Sequence, residues 1–303
     1  MSLQHFYLED QVLGEEVGEV FPLRLSIDDA KHARVLRLAS KEHIAVIDAV
    51  QDYFECEVVA FDDALPLVRI ARRFEAEPDG PTVLLVQGLA KGDKMETVIR
   101  HATELGVAGF VPYTADRSIV KLDRKKAAAR TERWRAVAKS AAMQSGQRSV
   151  PEVCKPALLD EVCGILANAS AVLVCWEDAP SHASIDEALE RALARCGASP
   201  DEARVAVVVG PEGGLAKREV EAMLACNSRA SLVTLGPSIL RTETAGIVAP
   251  AIVLHELARS TRKLDAWAGR SKRAAGRDVD ASFAQEAGRI PRPATISRPL
   301  EGI

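Results

Sequence analysis

From residue 82 onwards, five short runs of apolar residues alternate with longer amphipathic segments. The runs lie at residues 83–87, 108–112, 172–176, 205–209 and 232–235. Runs of this kind are typical of strands in a parallel sheet that is covered on both faces. The segments between them predict helices at residues 95–105, 124–145, 185–195, 217–226 and 243–260. This alternation predicts an open α/β domain over residues 80–265.

The predicted helix at residues 95–105 has a clear pattern. Its apolar positions share one face, and they are Met95, Val98, Ile99, Ala102 and Leu105. Glu96 and Arg100 lie four residues apart on the other face, so we expect them to pair. Gly106 is placed to end this helix.

The first 74 residues predict a separate, small β domain. Residues 44–48, 56–60 and 67–70 are short runs with high β propensity. Residues 51–52 predict a turn, and residues 31–37 form a basic segment with a helical spacing of apolar positions. Residues 75–81 contain two prolines and a glycine and predict a linker. Residues 266–303 hold few large apolar groups and are expected to be a disordered tail, serving either as an RNA-contacting arm or as an idle extension.

Composition narrows the possible classes of protein. The chain has 303 residues, 48% of them hydrophobic, which is enough for one large domain or two modest ones. The formal net charge of -4 means that any nucleic-acid surface must be local. Six scattered cysteines form no C-x-x-C pair, so we expect no structural zinc site, no disulfide framework and a cytoplasmic setting. We expect no targeting signal and no membrane span.

Two loops that follow predicted strands have unusual compositions. Ligands of open parallel sheets bind beyond the carboxyl ends of the strands. Residues 210–214 read Gly-Pro-Glu-Gly-Gly, which lets a ligand approach the backbone closely but is equally compatible with a tight turn. The loop lacks the Gly-Lys-Ser/Thr of a phosphate loop and the spacing of a dinucleotide fingerprint.

The second loop covers residues 235–245. Thr242 is placed to cap the following helix, and Glu243 complements the helix dipole. Capping does not explain why Gly236, Pro237 and Arg241 accompany them. A third loop, at residues 176–180, contains Glu177, which either meets a ligand hydroxyl or amine or is solvent-exposed.

Together these loops resemble the ribosomal small-subunit methyltransferase E family of the SPOUT superfamily. The second loop carries the pattern Leu-Gly-x-x-Ile-Leu-Arg-x-Glu-Thr-Ala. Upstream matches lie at residues 32–37, 91–96, 103–107, 133–134 and 144–151, so the resemblance covers residues 1–260. The chain departs from the family at residues 40–42 and at Ala49, where glycines are usual; this concerns only the local geometry of the first domain.

The resemblance implies a fold, a cofactor and a substrate. The fold would be a SPOUT-type open parallel sheet with a C-terminal trefoil knot, preceded by a small PUA-like β-barrel over residues 1–74. The enzyme would use S-adenosylmethionine to methylate N3 of a specific uridine in 16S rRNA of the small ribosomal subunit. It would act as a homodimer, without a metal and away from membranes.

The resemblance also directs attention to particular residues. The expected cofactor contacts are Glu177, Gly210, Pro211, Glu212, Gly213, Leu235, Gly236, Ile239, Leu240 and Thr244. Methylation at N3 requires loss of the N3 proton, and Arg241 is the expected donor to the uracil oxygens because a guanidinium is always charged. Glu243 is the nearest carboxylate, acting either as a catalytic group or only as a first-turn capping residue.

A local basic surface is the third expectation. Residues 117–148 hold ten Lys and Arg against Asp123 and Glu132. Such a run is either a solvated helix face or an RNA-binding surface. The residues expected to contact RNA are Lys31, Arg34, Arg37, Lys91, Arg117, Arg124, Lys125, Lys126 and Arg148.

Two other functions remain open at this point. One is a knotted methyltransferase that modifies a ribose 2′-hydroxyl of tRNA or rRNA. The other is a ribosome-assembly factor without catalytic activity. A nucleotide hydrolase is disfavoured because the chain lacks a phosphate-loop lysine and metal-binding carboxylates.

Overall fold

The first domain is built on a five-stranded mixed sheet. The computed structural model describes residues 3–62, 65–75 and 80–275, with side chains as far as residue 262. The strands are β1 (Gln4–Tyr7), β2 (Phe21–Pro22), β3 (His43–Ile47), β4 (Tyr53–Asp62) and β5 (Leu65–Arg73). Their order is β1-β3-β4-β5-β2, with β1 and β3 parallel and the other pairs antiparallel. The three predicted strands are confirmed as β3, β4 and β5.

Among the described residues of this domain, one α-helix accompanies the sheet, besides a short 3-10 helix at Leu13–Glu15. The α-helix is α1 (Ile27–Val35), and it begins at Ser26, whose hydroxyl accepts a hydrogen bond from the Asp29 N–H. The basic segment predicted as a helix extends past its end, since Arg37 has φ of +54°. Arg37 therefore lies outside the helix that carries Lys31 and Arg34.

The larger domain contains a six-stranded parallel sheet. Its strands are β6 (Thr82–Gly88), β7 (Gly109–Tyr113), β8 (Glu152–Val153), β9 (Ala171–Cys175), β10 (Arg204–Val209) and β11 (Ala230–Val233). Their order is β11-β9-β10-β6-β7-β8, and every neighbouring pair is parallel. The five predicted strands are confirmed with end shifts of a few residues, and so is the α/β class of the domain.

Six helices cover the two faces of this sheet. They are α2 (Lys94–Leu105), α3 (Arg124–Ser145), α4 (Leu159–Ala167), α5 (Ile185–Cys196), α6 (Lys217–Ala225) and α7 (Thr242–Ala275). Helices α2, α3, α5 and α7 pack on one face, and α4 and α6 pack on the other. Strand residues alternate between these cores: Val205 and Val207 face the first group, whereas Ala206 and Val208 face the second.

Helix α3 joins the two domains. Trp134 and Ala138 are buried in the core of the larger domain. One to two turns further on, Ala142 and Met143 are buried in the core of the first domain. Lys139 lies between these positions, and its ammonium is 2.7 Å from the Asp29 carboxylate of α1. One helix therefore contributes buried residues to the cores of both domains.

Two expectations differ from the structure. Glu96 pairs with Arg133 of α3, with Nε and Oε1 2.8 Å apart, because the partly buried Glu96 faces α3. The predicted pair of Glu96 with Arg100 is therefore wrong. The backbone of residues 266–275 continues α7, although these residues were expected to be disordered. The rest of the predicted tail, residues 276–303, lies outside the described residues, as do residues 76–79 of the predicted linker.

Candidate functional site

The loops that follow β9, β10 and β11 converge on one cavity. These three strands are neighbours in the sheet, so their carboxyl ends lie side by side. The cavity has a volume of about 590 Å³. It is lined by nine of the residues expected to contact the cofactor, namely Glu177, Gly210, Pro211, Glu212, Gly213, Leu235, Gly236, Ile239 and Leu240. Thr244 is exposed on the first turn of α7, outside the described residues that line the cavity.

The 210–214 loop is packed tightly against its surroundings. At the end of β6, a Cβ on Gly88 would overlap the backbone nitrogen of Pro211. Gly214 has φ of +69°, and a Cβ there would overlap the Glu177 carboxylate. Gly88 needs glycine because backbone that cannot move occupies the space of a side chain, and Gly214 needs glycine because of its positive φ. The loop forms a turn, in which the Gly214 N–H donates to the Pro211 carbonyl, and this turn is packed tightly against the end of β6.

A buried hydroxyl ties this loop to the start of α7. The Thr242 hydroxyl donates a 2.6 Å hydrogen bond to the Gly210 carbonyl and accepts a 2.8 Å hydrogen bond from Gln87 Nε2. Thr242 is the first residue inside α7 and not the residue that precedes the helix, so the capping role predicted for it is wrong. Its hydroxyl makes this tertiary contact instead. The three residues, which we call the Thr242 clasp, connect β6, the 210–214 loop and α7.

Lys94 is a residue of the site that the sequence did not reveal. Its ammonium lies 3.0 Å from Glu212 Oε1 and 3.2 Å from Glu243 Oε2. The hydrogen bond with Glu212 raises the pKa of Lys94. Desolvation opposes this shift in part, and the contact with Glu243 adds to it. Lys94 lines the cavity, whereas Glu243 is not among the described lining residues. The Glu243 carboxylate thus reaches the site through Lys94.

Glu212 is held by two groups of the α2 region. The backbone N–H of Lys91 donates to Glu212 Oε1 over 3.0 Å, and Lys94 contacts the same oxygen. Burial opposes ionisation of Glu212, but these contacts outweigh it, so that its pKa is lowered. The Lys91 side chain itself is exposed.

Arg117 lies at the edge of the cavity. Its guanidinium donates to the Gly213 carbonyl over 3.3 Å and lies 3.8 Å from the Glu177 carboxylate. Glu219, which is fully buried, holds the loop that carries Arg117. Glu219 accepts hydrogen bonds from the Asp116 N–H and the Tyr113 hydroxyl. Glu219 was also missed from the sequence because its contacts join distant segments.

The remaining cations expected to contact RNA fall into two main groups. Arg124, Lys125 and Lys126 are exposed at the start of α3, where Lys126 pairs with Asp123. Lys31, Arg34 and Arg37 are exposed in and after α1, where Lys31 pairs with Asp28. Arg148 lies over the Tyr53 ring, with 5.1 Å between its guanidinium carbon and the ring centroid.

Several other cations of α3 are already neutralised. Arg133 pairs with Glu96, Arg135 with Glu132, and Lys139 with Asp29. The positive surface of residues 117–148 is therefore narrower than their count of ten Lys and Arg suggested.

The residues that the structure describes hold neither a cluster of metal-binding side chains nor a membrane-spanning helix. No group of three or more His, Cys, Asp and Glu among them is placed to hold a metal ion. None of the helices over that part of the chain combines the length and apolar character needed to cross a membrane.

Comparison with known proteins gives the class of protein first. Residues 78–254 match the family model of the RNA methyltransferase domain. A solved structure of a methyltransferase-like protein from Legionella pneumophila, in complex with bound cofactor SAM, is 25% identical, with a TM-score of 0.67, and the match covers 84% of this chain and 97% of that one. The fold and the site thus define an RNA methyltransferase.

The curated relatives then give the particular family. The ribosomal RNA small subunit methyltransferase E of Bacillus subtilis is 31% identical over 260 residues, which are 84% of this chain and 97% of the relative. The protein of the same name from Mycobacterium tuberculosis is 34% identical over 227 residues, covering 73% and 82% respectively. The chain belongs to the ribosomal RNA small subunit methyltransferase E family, which confirms the resemblance found in the sequence.

Proposed function

We propose that this protein transfers the methyl group of S-adenosylmethionine to N3 of a specific uridine in 16S rRNA, within the small ribosomal subunit. The convergence of the 210–214 and 235–241 loops on one cavity carries this proposal. The names of the curated relatives support an rRNA substrate of the small subunit. The SAM complex of the Legionella protein supports the cofactor.

The cavity fits such a cofactor. Its volume lies within the range of about 300–1,000 Å³ that is typical of small-molecule sites. Leu235, Ile239 and Leu240 supply apolar walls, and the glycines at 210 and 213 leave backbone groups accessible. Trp176 also lines the cavity, and its indole Nε1 is buried with no hydrogen-bond partner among the described residues. That group is a donor available to a ligand.

The protein's own task is to favour the ionised form of uracil. Bound S-adenosylmethionine supplies an activated methyl group, so no metal is required for the transfer. Loss of the N3 proton leaves negative charge on the uracil oxygens, and positive groups placed near those oxygens lower the barrier. Arg241 lines the cavity, is exposed, and is the donor we propose for one of these oxygens. Glu243 is proposed to support catalysis from its place beside Lys94.

The knot, the N-terminal barrel and the homodimer are part of the same proposal. We propose that α7 follows a trefoil knot, a topology that the Thr242 clasp would hold closed. The five-stranded sheet with α1 would be the PUA-like barrel. A homodimer would cover the outer wall of the cavity, where Ile239 is 88% exposed.

The RNA surface would begin at the edge of the cavity. Arg117 and Lys91 lie beside the 210–214 loop, and Arg124 and Lys125 are exposed at the start of α3. A second region would include Lys31, Arg34 and Arg37 of the first domain, with Lys126 and Arg148 completing the set. Cations placed along such a path bind phosphates without regard to sequence.

The decisive experiment measures methyl transfer to small ribosomal subunits that lack the modification and, in parallel, to free 16S rRNA. The modified nucleotide is then mapped by mass spectrometry. We expect one methyl group on the base of one uridine, at N3, and faster transfer to the assembled subunit. A methylated ribose, or no transfer to either substrate, would overturn the proposal.

A further inference from the structure

Two positive side chains line the cavity, among the residues that the structure describes. They are Lys94, at the start of α2, and Arg241, in the loop before α7. Arg241 is exposed, whereas the Lys94 side chain is only 29% exposed. The cavity thus has a surface cation and a second, more enclosed cation that come from different elements.

The enclosed cation is held in a fixed place. An ammonium group has three N–H donors. In the described residues, the Lys94 ammonium forms ion pairs with Glu212 Oε1 at 3.0 Å and with Glu243 Oε2 at 3.2 Å. Two carboxylate oxygens can engage at most two of the three N–H donors, so at least one N–H remains for a ligand in the cavity.

The charge state of Lys94 decides which role is open to it. Its contacts with Glu212 and Glu243 raise its pKa, so Lys94 stays protonated at neutral pH and cannot remove a proton from a substrate. A fixed ammonium is suited to donating a hydrogen bond to developing negative charge. Glu243, which reaches the cavity only through Lys94, is then suited to orienting that ammonium.

We propose that Lys94 is a catalytic residue, whose ammonium donates to one of the two oxygens that flank uracil N3 while Arg241 serves the other. This inference rests on the proposed function. When the N3–H bond breaks, its proton passes to solvent and the negative charge is shared between O2 and O4. N3 then forms a bond to the methyl carbon, and the electrons of the broken C–S bond remain on sulfur. Lys94 keeps its proton throughout, and Glu243 is a positioning residue.

The first test replaces Lys94 by Met and by Arg and measures turnover, its pH dependence and cofactor affinity. For Lys94→Met we expect kcat to fall by about 10²–10³-fold, the usual cost of one lost donor to such a charge. The pH–rate profile should move to higher pH, because uracil must then ionise without help. Lys94→Arg should restore most of the activity, since it returns a charged donor.

Cofactor affinity separates this role from a purely binding role. Calorimetry with S-adenosylmethionine should give a Kd for Lys94→Met within a few-fold of the unaltered protein, which also shows that the variant is folded. Lys217→Met is the matched control, because Lys217 pairs with Glu221 on an exposed face of α6. A loss of cofactor affinity as large as the loss of kcat/KM would overturn the proposal and make Lys94 a cofactor contact.

A double-mutant cycle tests the role of Glu243. If Glu243 acts through Lys94, Glu243→Gln should lower kcat about tenfold in the unaltered protein and have no further effect in Lys94→Met. An equal loss in both backgrounds would make Glu243 an independent catalytic group and refute its positioning role. The product that the unaltered protein forms is mapped in a separate experiment, and a product other than N3-methyluridine overturns the proposed function. Normal activity of the Lys94→Met variant overturns only this inference.

Discussion

The two long loops of the cavity differ in how they are held. The 210–214 loop is fitted against Gly88, receives the Thr242 hydroxyl at Gly210 and is anchored through Glu212. Residues 236–239 are exposed, and the hydrogen bonds of Gly236 are local ones with Thr234. The wall formed by the 210–214 loop is therefore fixed by packing of the chain, whereas the wall formed by residues 236–239 is exposed. Changes in the first should affect folding and binding together, and changes in the second should affect function alone.

Arg241→Ala gives the largest expected effect on the exposed wall. We expect kcat to fall by about 10²–10³-fold through loss of a donor to the uracil anion. Because Arg241 is exposed, the free energy of unfolding should change by less than about 0.5 kcal/mol. Activity assays with chemical denaturation check both values. If the protein were clearly destabilised, the two walls would not differ as described.

Gly88→Ala tests the fitted wall. The added Cβ would overlap the Pro211 backbone, which cannot move as a flexible side chain would. We expect a loss of about 1–3 kcal/mol in the free energy of unfolding, and weaker cofactor binding in calorimetry. Gly164→Ala is the matched control, because a Cβ in the middle of α4 meets nothing within 4 Å. That control should stabilise the protein by about 0.5–1 kcal/mol, and equal behaviour of the two variants would contradict the tight fit.

Thr242→Val removes the hydroxyl of the Thr242 clasp at nearly constant volume. The buried Gln87 amide and Gly210 carbonyl would each lose a partner, at a cost of about 1–2 kcal/mol in unfolding free energy. Thr244→Val, on the exposed side of the same turn, should cost less than about 0.5 kcal/mol. Cofactor titration of Thr244→Val also tests the prediction that Thr244 binds the cofactor.

Ile239→Asp should have the smallest effect on the fold. The side chain is 88% exposed, so the stability of a single subunit should change by less than about 0.5 kcal/mol. If a second subunit covers this wall, sedimentation should show dissociation of the dimer and calorimetry a weaker cofactor site. A variant that remains dimeric with unchanged affinity would place the subunit contact elsewhere.

Local patterns were sufficient for most of the sheet and its helices. Strands such as β10 are continuous apolar runs, and α3 was predicted with the bounds that the structure shows. The missed elements lack such patterns: β8 has two residues, and α4 is a helix of nine residues that contains Gly164. The strands β1 and β2 are short edge strands whose partners lie far along the chain.

The site was predictable where its residues belong to the three loops that follow β9, β10 and β11. The 210–214 and 235–241 segments could be located from composition and family pattern. Lys94 could not, because its role depends on Glu212 and Glu243, which are brought to it by packing of α2 against the sheet and α7. The predicted pair of Glu96 with Arg100 failed for the same reason, since a tertiary partner in α3 replaced the local one.

The Thr242 clasp also has a consequence for biosynthesis. Its hydrogen bond between Gln87 and Thr242 joins residues 155 positions apart. During translation the N-terminal parts of a chain fold first, and contacts between distant segments form last. A nascent chain that ends before residue 242 has the strands of its sheet but lacks this link and the lining residues that follow. The cavity is therefore completed late, because an interrupted translation product that stops before residue 242 lacks both the Thr242 clasp and helix α7, which packs against the sheet beside the site.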